Sequence, residues 1–189
     1  MGFTGQRGHY GAWRLLCAVP AMLTSAVQVA IVSALLGRYA VFALNRRAAE
    51  AATVREAATG LLDGQGQQRA VIVLGDLNDE AAAATTQILY GPPGSEIGTG
   101  GFDPPDQGDG QRLWNLAPLI PEEQRFTRIY RGQRQLIDHI LVSHIIVRVV
   151  AEGDVTTSDT AVASIGDNPN NRRNEPGSDH RPVLVDFRL

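Results

Sequence analysis

The chain has 189 residues, enough for one domain of ordinary size with a buried core and too few for two large ones. Its apolar and charged fractions, 43% and 20%, are those of a globular protein, and a formal net charge of -3 disfavours a general nucleic-acid-coating role, which needs a basic excess. All 17 basic residues are arginine, and the single Cys17 has no partner for an internal disulfide or a CxxC site.

Residues 15–37 form a run of 23 positions without a charge, preceded by Arg7 and Arg14. The run is long enough to span a bilayer. It also reads as a signal peptide, as a buried helix, or as an N-terminus joined to foreign upstream sequence. Pro20, Thr24, Ser25 and Gln28 weaken the membrane reading. Localisation follows that choice: membrane-associated or exported if the run is an anchor or signal, cytoplasmic otherwise.

Ala, Leu, Arg and Glu dominate residues 39–62, which predicts a helix with Phe42, Ala49, Ala52 and Leu61 on one face and a stop near Asp63-Gly64. The continuous β-branched run at 70–74 predicts a strand buried on both faces. A second helix is expected over 81–90, and a loop over 91–110, where Gly, Pro and Asp crowd together. Residues 126–131, 136–143, 145–151 and 182–189 read as strands on their Val, Ile, Leu and Phe content. The polar stretch 166–177, with Asp167-Asn168-Pro169 and Arg172-Arg173, predicts a long loop.

Three short motifs carry chemistry. Gly75-Asp76-Leu77-Asn78 places a carboxylate and an amide two residues apart at the end of a strand, where ligands bind; a plain Asx turn capping the following helix would use the same residues. Ile137-Asp138-His139 puts two polar groups inside an apolar strand. Alternation sends Asp138 and His139 to opposite faces, so Asp138 needs an imidazole or a metal from elsewhere. His139 reads as a satisfied structural histidine. Ser178-Asp179-His180 stands just before the last strand, with Pro182 at the strand entry.

In this order, and with Phe126-Thr127 and the helical Arg46-Arg47-Ala48-Ala49-Glu50-Ala51 alongside, the motifs resemble the endonuclease/exonuclease/phosphatase family. The resemblance covers residues 38–189, with 1–37 as an apolar segment outside it. It implies an α/β fold, half or most of a four-layer α/β/β/α sandwich, here with an N-terminal apolar helix. It implies a metal-dependent phosphoester hydrolase of the phosphodiesterase or nuclease type, using magnesium or manganese on a phosphodiester substrate, nucleic acid among the candidates. Carried over by position, Asp76 orients or deprotonates the attacking water and Asn78 holds a phosphate oxygen. His180 donates to the phosphate, Asp138 fixes its tautomer, and Asp179 binds the metal. Arg172 and Arg173 are substrate-contact candidates, although a solvated loop explains them as well. Members of the family also carry an early Asn, a principal metal-binding Glu and a His in a first half that residues 1–37 do not show; Glu50 is the first acidic residue of the chain. The alternative function is therefore an inactive truncated or membrane-tethered remnant of such an enzyme.

Overall fold

A computed structural model describes residues 25–189 apart from 95, 98–101, 152, 169, 171–173, 175–176 and 188–189, with the backbone alone for 25–36. The chain divides into two units, Met1–Leu44 and Asn45–Leu189. In the first unit the described residues begin helix α1 (Ser25–Leu62), which runs on into the second. Among the described residues there is no separate apolar N-terminal helix of the kind expected from residues 15–37. Residues 15–24 lie outside the described residues, and from Ser25 onward the apolar stretch belongs to the same helix as the Arg- and Glu-bearing turns. No helix among the described residues is long and apolar enough to cross a membrane.

Within the second unit, α1 ends at Leu62, and Asp63 and Gly64 follow with φ of 48° and 70°. This left-handed pair is the expected stop. The packed face differs from the expected one. Ala51, Ala58 and Leu62 turn inward at spacings of seven and four, whereas Leu61 is exposed. Arg55, on the same face, donates to the carbonyls of Leu89 and Gln111 and so ties the helix to the loop beyond α2 (Ala84–Tyr90).

The main sheet has the order β1-β5-β2, with β1 at Ile72–Asp76, β2 at Trp114–Asn115 and β5 at Asp138–Val142. Both pairings are antiparallel. Leu141 points to one face, with Ala58 and Leu62 of α1, Leu89 of α2, Val71 and Leu113. Ile140 and Val142 point to the other, with Trp114, Leu116, Ile120, Ile146 and Val155. Each face thus carries its own apolar cluster, which is why β5 is buried on both sides. β1 is not. Among the described residues it has a strand on one side only, and Ile72 and Leu74 are exposed, so the expected doubly buried strand is a half-covered edge.

The remaining strands are short. β3 (Arg128–Tyr130) pairs with β4 (Gln133–Gln135) as a hairpin and with β7 (Ser164–Ile165) in parallel, and β6 (Val155–Thr157) pairs with β8 (Val183–Val185). The described architecture is mixed α/β, with its strands in three small sheets. A strand was also expected over 145–151, where α3 (His144–Val147) forms instead. The helix opens at Ser143. Its backbone carbonyl accepts from Ile146 and Val147, its hydroxyl donates to Arg69 O, and Ile146 and Val147 find burial from a single helical turn.

The loop after α2 is held by a buried cation. Arg112, 4% exposed, meets Asp109 at 2.9 Å and Asp106 at 3.1 Å and donates to the carbonyls of Pro92 and Pro93. The hydrogen bond from Arg112 is the main influence that lowers the Asp106 pKa, against some desolvation. A carboxylate lowered on folding stabilises the native state above its unfolded pKa of about 3.9 and loses that contribution as pH falls through the folded value. Asp106→Asn should therefore lower the melting temperature at pH 7 and flatten its decline below about pH 4. Thermal scans across pH check this, and an unchanged acid limb contradicts it.

Candidate active site

The β1–β5 register sets Asp76 directly opposite Asp138. Two carboxylates opposed on one sheet face repel each other, so the pairing persists only beside something cationic or proton-bearing. The turn before β8 supplies it. His180 Nδ1 lies 2.9 Å from Asp138 Oδ2. Asp76, Asp138 and His180 each bring one ligand atom to within 4.8 Å of the others, the one such group of His, Cys, Asp and Glu among the described residues. Asp76 is exposed, whereas Asp138 and His180 are half-buried. Asp179, the expected metal ligand, stands on the other side of the imidazole, with Oδ2 3.7 Å from Nε2. His180 therefore lies between two carboxylates.

Backbone contacts explain why two distant segments meet. The Arg181 N–H donates to Thr127 O, and the Thr127 hydroxyl accepts from the N–H groups of Ile137 and Asp138. Thr127 is fully buried and joins the His180 turn to the start of β5. The Arg181 and Arg134 guanidinium groups stack on Phe126, 4.3 and 4.5 Å from the ring centre. Phe126 and Thr127 counted in the sequence only as companions of the motifs. Their joining role needs the fold to be seen.

The Asp76–Asn78 segment is an Asx turn. Asp76 Oδ1 accepts the Asn78 N–H at 2.8 Å and Oδ2 accepts from Asn78 Nδ2 at 3.2 Å. The turn does not cap a helix at residue 80, since α2 begins at Ala84. Asn78 has φ of 52°, the left-handed region that few non-glycine residues adopt. A cleft of about 200 Å3 opens beside the turn, lined by Arg47, Glu50, Val54, Asn78, Thr85 and Thr86 among others. Glu50 is thus brought to the wall of the site, paired with Arg46 at 2.8 Å, and Arg47 meets Asp79 at 3.3 Å. Sequence reading placed Glu50 only on a helix.

His139 takes the opposite face from Asp138, as alternation requires, and is 2% exposed. Burial lowers its pKa, partly offset by its hydrogen bond to Asp79 O and by the carboxylates of Glu80, Asp138 and Asp76. The ring is held neutral at physiological pH. Arg172 and Arg173 lie outside the described residues.

The donor set is two carboxylates with an imidazole, chemistry that fits a hard divalent cation retaining several waters. A model of the Endonuclease/Exonuclease/phosphatase family matches residues 7–180 of the chain. No curated protein and no solved structure matches it.

Proposed function

We propose, from the premise that the chain belongs to the endonuclease/exonuclease/phosphatase family, that its Asp76–Asp138–His180 cluster is the centre of a metal-dependent phosphodiester hydrolase. The family is one of nuclease- and phosphatase-type hydrolases. The observation that carries the narrower reading is the convergence of all three motifs within 4.8 Å, from segments as far apart in the chain as residues 76 and 180. A purely structural Asx turn has no need of Asp138 or His180.

Asp76 and Asp138 are the carboxylates that would hold magnesium or manganese; Asp179, against His180 Nε2, stands outside that group of three. When bound, such a cation supplies positive charge that polarises the scissile phosphate and lowers the pKa of bound water. Asp76, the exposed carboxylate, orients the attacking water and takes its proton. Asn78 Nδ2 spends one N–H on Asp76 and keeps a second for a phosphate oxygen. Asp138 accepts from His180 Nδ1, which fixes the imidazole, and Asp179 Oδ2, 3.7 Å from Nε2, stands by to support the protonated ring. From Nε2 a proton passes to the phosphate or the leaving oxygen. The substrate class is a phosphodiester; the choice between nucleic acid and a smaller ester rests with loops that differ from one family member to another. Assay of the purified chain on plasmid DNA and on a chromogenic phosphodiester, with magnesium and after chelation, tests the reading.

A further inference from the structure

His139 carries no part of the chemistry above, yet both its ring nitrogens are engaged. Nδ1 lies 3.1 Å from Asn115 Nδ2, and Nε2 lies 2.9 Å from the carbonyl oxygen of Asp79. The proton positions follow from the neighbours. Asn115 Oδ1 accepts the Ala117 N–H at 2.9 Å, so its Nδ2 must be the atom turned toward His139 and toward Tyr90 Oη at 2.9 Å. An amide nitrogen only donates. Nδ1 is therefore the acceptor, and Nε2 carries the proton that it donates to Asp79 O. Tyr90 Oη, accepting from Asn115, donates its own proton to Ala81 O at 2.8 Å. Every donor and acceptor in this set is used, and one tautomer alone satisfies it.

The two outputs of the network are the carbonyls of Asp79 and Ala81, in the segment that leaves the Asp76–Asn78 turn. On the entry side, the Leu77 N–H donates to Ile137 O at 2.8 Å. Between these anchors Asn78 keeps its left-handed backbone, which no glycine relieves. We propose that His139 is a positioning residue, locked by Asn115 and Tyr90 as the Nε2–H tautomer, that holds Asp76 and Asn78 in place from the opposite face of the sheet. Its catalytic consequence rests on the proposed role of Asp76 and Asn78; its structural part does not.

The experiment uses the full chain and three variants. Nitrogen-15 spectra of the unaltered chain should show His139 with the proton on Nε2. His139→Leu should speed amide hydrogen exchange over residues 78–83 at least tenfold, with exchange at Leu141 and Val142 unchanged, and lower kcat for a chromogenic phosphodiester more than tenfold with KM within twofold. His139→Gln, which offers one donor and one acceptor, should restore most of both. Tyr90→Phe, nearly isosteric, should loosen the Ala81 arm alone, and it keeps the test decisive if the leucine variant does not fold. A proton on Nδ1, or unaltered exchange over 78–83 in both His139→Leu and Tyr90→Phe, overturns the inference. Loss of exchange protection in a chain that hydrolyses nothing upholds the positioning network and defeats the proposed function instead.

Discussion

Replacing His180 with alanine lowers phosphodiester hydrolysis by about 10²–10⁴-fold, the range typical of losing one positioned acid–base group. The side chain is half-buried and flanked by the carboxylates of Asp138 and Asp179 at 2.9 and 3.7 Å, so its removal takes away the imidazole that Asp138 holds in place. Asp138→Asn should approach the same loss by another route. The amide can offer a donor to Nδ1 and permits the wrong tautomer, while the fold, which depends on the Asp138 backbone and Thr127, stays intact. Rates of the two variants, with circular dichroism as the folding control, check the argument. Activity within tenfold of the unaltered chain in both would remove His180 and Asp138 from the reaction.

The second large effect is on stability. Leu141→Ala should cost about 2–5 kcal/mol, the range for truncating a fully buried leucine in a core that cannot collapse. Leu141 is 0% exposed and packs with Leu62, Leu89, Leu113, Val71 and Ala58, so it joins α1 and α2 to the main sheet. Ile72→Ala is the internal control. Ile72 lies at 43% exposure on the neighbouring strand and should cost far less. Denaturant unfolding of the pair decides, and equal losses would mean that the two faces of this sheet are not covered as described.

Local chemistry was legible where it is strong. Asp63-Gly64 marked the end of α1, and the alternation around Asp138 sent Asp138 and His139 to opposite sides of β5. The packed side of α1 was not legible, because alanines lie all round the helix and only the partners single out Ala51 and Ala58. Residues 145–151 misled for a related reason. Their β-branched content favours a strand, but burial after Ser143 is better served by one helical turn. The exposure of β1 follows from its lack of a second neighbour, which no run of Val, Ile and Leu announces.

The site itself shows the same division. Asp76, Asn78, Asp138 and His180 were each visible as residues of motifs, and their convergence came only with the antiparallel β1–β5 register and the Arg181–Thr127 contact. Asp179 was expected on the metal, and the structure puts it against His180 Nε2, outside the group of three. The network behind the turn links residues 24 and 25 apart, and neither Asn115 nor Tyr90 belongs to a motif.

Hydrolysis of a chromogenic phosphodiester by the purified chain, measured with magnesium, after chelation, and again after magnesium or manganese is restored, tests the central claim most directly. Turnover should disappear on chelation, return with either cation, and be absent from Asp76→Ala throughout. Turnover indifferent to chelation, or no turnover with either cation from a folded chain, contradicts that claim.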